Sequence, residues 1–95
     1  MIDRLSEGSK IMGKVRVEVF VTLKDTVVDP QGAVVKRSLE SLGYSMVEKV
    51  RVGKFIVIDF NMDNLQEAEK VVEEMCRKLL ANPVIEDYKF KVKRI

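Results

Sequence analysis

Five apolar residues at every second position, Val15, Val17, Val19, Val21 and Leu23, constrain this chain more than any other feature. They alternate with Arg16, Glu18, Phe20, Thr22 and Lys24. A period of two sets the apolar residues on one face of a strand and the others on the opposite face. The chain must therefore build a sheet with one side to bury. Asp29-Pro30 reads next as a helix start, with Asp as N-cap and Pro at the first helical position. Val35, Leu39 and Leu42 then form a helical stripe, and Gly43 supplies the stop. This predicts a helix over about 30 to 42.

Val47 to Val52 and Phe55 to Phe60 are both strand-like and flank Gly53-Lys54. Two residues with Gly first suit a type II′ hairpin turn. Asp63 and Asn64 offer N-caps, with Gln66 and Glu67 placed for capping boxes. Leu65, Ala68, Val72, Met75 and Leu79 carry the clearest helix, about 64 to 81, which Asn82-Pro83 ends. Tyr88, Phe90 and Val92 alternate with Lys89, Lys91 and Lys93 as a last strand. The order is β-α-β-β-α-β. It predicts an α+β, ferredoxin-like sandwich: a four-stranded antiparallel sheet with two helices on one face. Residues 1–13 show neither periodicity and are read as a disordered or flexible extension, so that residues 14–95 form one domain.

A hairpin at Gly53-Lys54 places Val50, Val52, Phe55 and Val57 on one face, and Val47, Ile56, Ile58 and Phe60 on the other. Helices cover one face only. The second apolar face calls for a second copy of the chain, or else for a β-bulge that shifts the register. Self-association is the favoured reading, with a homodimer as its simplest closed form.

The residues exclude much chemistry. There is no histidine among the 95 residues, which removes the commonest general base and metal ligand. Cys76 is the only cysteine, so no internal disulfide forms, as expected in the cytoplasm. It lies on the apolar side of its helix, as a structural thiol does. Gly32, Gly43 and Gly53 are isolated and make no phosphate-binding loop. The 17 basic and 15 acidic residues give a net charge of +2 without a basic stripe, so nucleic acid is not an expected partner. Phe55 and Phe60 fall on opposite faces, unlike the stacking pair of an RNA-recognition strand. No apolar run approaches the roughly 20 residues that span a bilayer. Catalytic, cofactor-binding and metal-binding residues are expected to be absent, and the chain is expected to act by binding partners.

Four stretches carry a family resemblance. They are Val28-Asp29-Pro30-Gln31-Gly32, Ser41-Leu42-Gly43-Tyr44, Val50-Arg51-Val52-Gly53-Lys54 and Leu80-Ala81-Asn82-Pro83-Val84-Ile85-Glu86-Asp87-Tyr88. In this order and spacing they resemble the PurS family, the small subunit of phosphoribosylformylglycinamidine (FGAM) synthase, over about residues 14 to 93. One departure is Asp25-Thr26, where the family often has a glycine. The resemblance implies a place in purine biosynthesis, in a ligase that turns formylglycinamide ribonucleotide, ATP, glutamine and water into FGAM, ADP, phosphate and glutamate. It implies a PurL-type synthetase subunit that binds ATP, and a PurQ-type glutaminase that releases ammonia. The small subunit would be a non-catalytic assembly factor, as a homodimer or a dimer of dimers. Two other readings share the element order: an ACT-like module that senses a small molecule, and a generic ferredoxin-like interaction module.

Partner contacts are expected from three loops. Local chemistry accounts for Asp29-Pro30, Gly53 and Pro83, but many polar residues would serve at Gln31, Arg51, Lys54, Glu86 and Asp87. Those five, with Asn82 and Tyr88 of the last loop, are the expected partner-binding residues.

Overall fold

The computed structural model describes residues 14–95; the extension read at 1–13 lies outside the described residues. Strand β1 (Lys14–Leu23) forms as its alternation requires and takes the centre of a three-stranded antiparallel sheet. Its neighbours are β2 (Lys54–Asn61) and β3 (Glu86–Arg94). The register aligns Val17 with Ile58 on one side and Val92 on the other, and Val19 with Ile56 and Phe90. Val15, Val17, Val19 and Val21 are fully buried or nearly so. Each contributes roughly 1.5–3 kcal/mol of apolar burial.

Helix α1 (Pro30–Ser41) and helix α2 (Leu65–Met75) connect the strands. Asn64 caps α2, its side-chain oxygen accepting from the Glu67 N–H at 3.1 Å. Beyond Met75 the chain widens into a π-turn, Cys76–Leu80, which the Ala81 N–H closes onto the Cys76 carbonyl. Ala68, Val72 and Cys76 press against the valines of β1. The α2 helix lies over β1 and β3. Gly43 ends α1 at φ +101°, a left-handed conformation that glycine adopts without strain. There its N–H reaches the Glu40 carbonyl and the Tyr44 N–H reaches that of Leu39.

Two expectations are corrected. Among the described residues the sheet has three strands, not four: Val47 to Val52 form no strand, and Gly53-Lys54 is no hairpin turn, Lys54 being the first residue of β2. The physical reason is competition for the backbone. The Val52 N–H donates to the Asp29 carboxylate, and the Val50 carbonyl lies against Gly32, so neither pairs in a ladder. Strand β2 pairs with β1 instead. The second correction concerns α1, which does not join α2 on the sheet: no side chain of α1 belongs to the core cluster. Val34, Val35 and Leu42 are exposed, as are Tyr44 and Met46 just beyond.

The outer face of the sheet is the wet one. Arg16 pairs with Asp59 through two hydrogen bonds of 2.8 and 3.1 Å, and Lys93 pairs with Glu18 at 3.4 Å. Phe20 and Phe55 stack there with ring centres 5.0 Å apart, and Lys91 lies over Phe20.

Candidate functional site

The chain converges at the C-terminal end of β1. Asp29 leaves the loop after β1 and caps α1, one carboxylate oxygen accepting from the Gly32 N–H at 2.9 Å. Its other oxygen accepts from the Val52 N–H at 2.8 Å. The carboxylate is buried, and these backbone donors, Val52 first, hold its pKa below the usual range. Arg51 comes from the opposite side. Its Nη2 donates to the carbonyls of Lys24 (2.7 Å), Val27 (3.1 Å) and Leu23 (3.4 Å). The loop between β1 and α1 is thus stitched to residues 50–52 by a carboxylate and a guanidinium.

A concavity of about 360 Å³ opens beside this stitch. Among its lining residues are Gln31, Lys54 and Glu86, with Pro30 and Val52 as its apolar wall. Three of the seven expected partner-binding residues therefore meet in one place. The Lys54 ammonium reaches the Leu80 carbonyl at 3.5 Å. One Glu86 oxygen accepts from the Asn82 N–H at 2.7 Å, while the Asn82 side chain accepts from the Val84 N–H. Asn82 and Glu86 thus close the turn after the π-turn, a local role that their spacing did not reveal.

The remaining three lie elsewhere. Arg51 turns into the loop carbonyls. Asp87 pairs with Lys24 at 2.8 Å. Tyr88 points under α2, where its hydroxyl donates to the Glu73 carboxylate, and this bond raises the phenol pKa. Sequence reasoning missed two features. The first is the exposed apolar side of α1, whose stripe was legible but whose lack of a covering partner was not. The second is Gly32 in the first turn of α1. An ideal Cβ there would sit 2.2 Å from the Val50 carbonyl oxygen. A glycine inside a helix costs about 1 kcal/mol against alanine, and that cost is the signal of a close backbone approach.

The described residues carry little that could do chemistry of their own. Among the described residues no group of three or more Cys, Asp or Glu is placed to hold a metal ion. Cys76 is buried and its thiol pKa is pushed up, by desolvation first and the Glu73 charge second, which is the reverse of a nucleophile's setting. No helix among the described residues is long and apolar enough to cross a membrane. What the chain presents is an apolar helix and a small polar concavity at its root.

Comparison with known proteins gives the family. A family model described as PurS, phosphoribosylformylglycinamidine (FGAM) synthase, matches residues 16–94. The PurS subunit of Bacillus subtilis is 42% identical over 80 residues, which is 84% of this chain and 94% of the relative. That of Methanocaldococcus jannaschii is also 42% identical over 80 residues, covering 84% and 96%. Thermus thermophilus PurS superposes with a TM-score of 0.76 at 41% identity, over 86% of this chain and 98% of that one. A PurLQS structure from Thermotoga maritima superposes at 0.78 with 30% identity, over 86% and 100%.

Proposed function

The chain belongs to the PurS family of FGAM synthase subunits, and from that premise we propose that it is the subunit that holds the complex together without taking part in the chemistry. Its partners in this reading are a PurL-type synthetase, which binds the ATP, and a PurQ-type glutaminase. It needs no cofactor of its own and works in the cytoplasm. Ammonia released by one subunit must reach the other before it escapes to water, so the geometry of docking sets the rate of synthesis.

The observation that carries the reading is α1. Twelve residues of helix stand off the core with Val34, Val35 and Leu42 in the open. Their partner in this reading is a second copy of the chain. A three-stranded sheet is about 14 Å wide and a helix about 10 Å across. Helix α2 sits over β1 and β3 and leaves Ile56 and Ile58 of β2 only partly covered. The bare strip runs beside α2 on the same face, and α1 from a second copy supplies an apolar helix for it. The exchange is reciprocal, as a two-fold dimer requires.

Co-purification tests the proposal. The tagged chain, mixed with PurL-type and PurQ-type subunits, ATP and glutamine, should retain both. Retention of neither would refute it. Gln31→Ala and Lys54→Ala, at the concavity, should fold normally and weaken retention; parental retention by both would place the docking surface elsewhere.

A further inference from the structure

The core does not hold α1 by its length. No side chain of the helix enters the core cluster, and its far end carries only its own cap. What joins it to the sheet is its first turn. There the Asp29 carboxylate grips two backbone N–H groups at once, Gly32 inside the helix and Val52 in the segment leading into β2. The Gly32 backbone lies flat against the Val50 carbonyl, with no room for a Cβ. Arg51 ties the same segment to the loop on the other side through three carbonyls. A helix held at one end by several short bonds has a fixed direction, although none of its side chains enters the core cluster.

We infer that Asp29, Gly32 and Arg51 are positioning residues for assembly: they set the angle at which α1 leaves the sheet and so place its apolar side where a second copy can take it. A cap alone requires one oxygen of Asp29, yet both are used. A helix alone is better served by alanine at position 32 than by glycine. The stitch therefore does more than start the helix. Preorganisation of this kind strengthens binding without adding a contact across the interface, because the helix need not be ordered as it docks. The inference rests on the reading of α1 as the contact with a second copy.

Two variants separate direction from helix formation. Asp29→Ser keeps an acceptor for the Gly32 N–H but is too short to hold Val52 as well. Gly32→Ala raises helix propensity while forcing the Val50 carbonyl away. Spin labels at Ser41→Cys and Lys89→Cys, both exposed positions, report the spread of angles between α1 and the sheet. Cys76 is buried and stays unlabelled. The labelled chain is diluted into unlabelled chain, and self-association is followed by sedimentation. Circular dichroism should show parental helix content in both variants. The distance distribution should broaden at least twofold, and the dissociation constant of self-association should rise at least tenfold. Parental distances in both variants, or broad distances with parental self-association, overturn the inference alone. A parental chain that sediments as a monomer overturns the dimer reading, and this inference with it.

Discussion

At the scale of single residues, burial separates the side chains that hold the fold from those free to meet a partner in the proposed reading. Val17 is fully buried between β2, β3 and α2. Val17→Ala removes two methyl groups from a closed site and should cost about 2 kcal/mol of stability, read from urea unfolding. Cys76 should resist a thiol reagent in the native chain and react at once in denaturant; fast native labelling would show that the π-turn opens. Asp29 adds a pH dependence. Its folded pKa lies below the unfolded value near 3.9, so its contribution is complete above about pH 5 and is lost as pH falls through the folded value. The urea midpoint of the parent should exceed that of Asp29→Ser by a constant amount from neutrality to about pH 5. The gap should begin to narrow near the unfolded value and close only once pH has fallen through the folded one.

At the scale of elements, the sequence made local signals legible and hid one competition. The alternation of β1, the Asp29-Pro30 start of α1, the Gly43 stop, the Asn64 cap and the β3 alternation all appear where their residues place them. Each rests on neighbours within four residues. The expected strand at Val47 to Val52 fails because its backbone is claimed by Asp29 and Gly32, about twenty positions earlier. No local pattern encodes that claim, although Gly32 in a helix and the doubly competent Asp29 carboxylate hint at it. The candidate site was half legible for the same reason. Gln31, Lys54 and Glu86 meet at one concavity, but Arg51 and Tyr88 turn inward to partners far along the chain. Helix α1 gives the sharpest test at this scale. Val35→Lys should leave the melting temperature of the sheet nearly unchanged, because Val35 is exposed in the chain, and should shift sedimentation toward the monomer. A large loss of stability in the monomer would mean that α1 packs on its own sheet.

At the scale of the whole molecule, the core of the described residues is small and one-sided: three strands, one covering helix, and a second helix that stands off it. In the proposed reading such a chain completes itself by association, and its membership of the PurS family supplies the setting in which association matters. The central claim is that it couples two active sites it does not contain. The measurement that tests this most directly is FGAM synthesis by PurL-type and PurQ-type subunits, with and without this chain, using glutamine or free ammonia as nitrogen source. Glutamine-dependent synthesis should require the chain, while ammonia-dependent synthesis by the synthetase should not. Equal glutamine-dependent rates with and without the chain would contradict that claim.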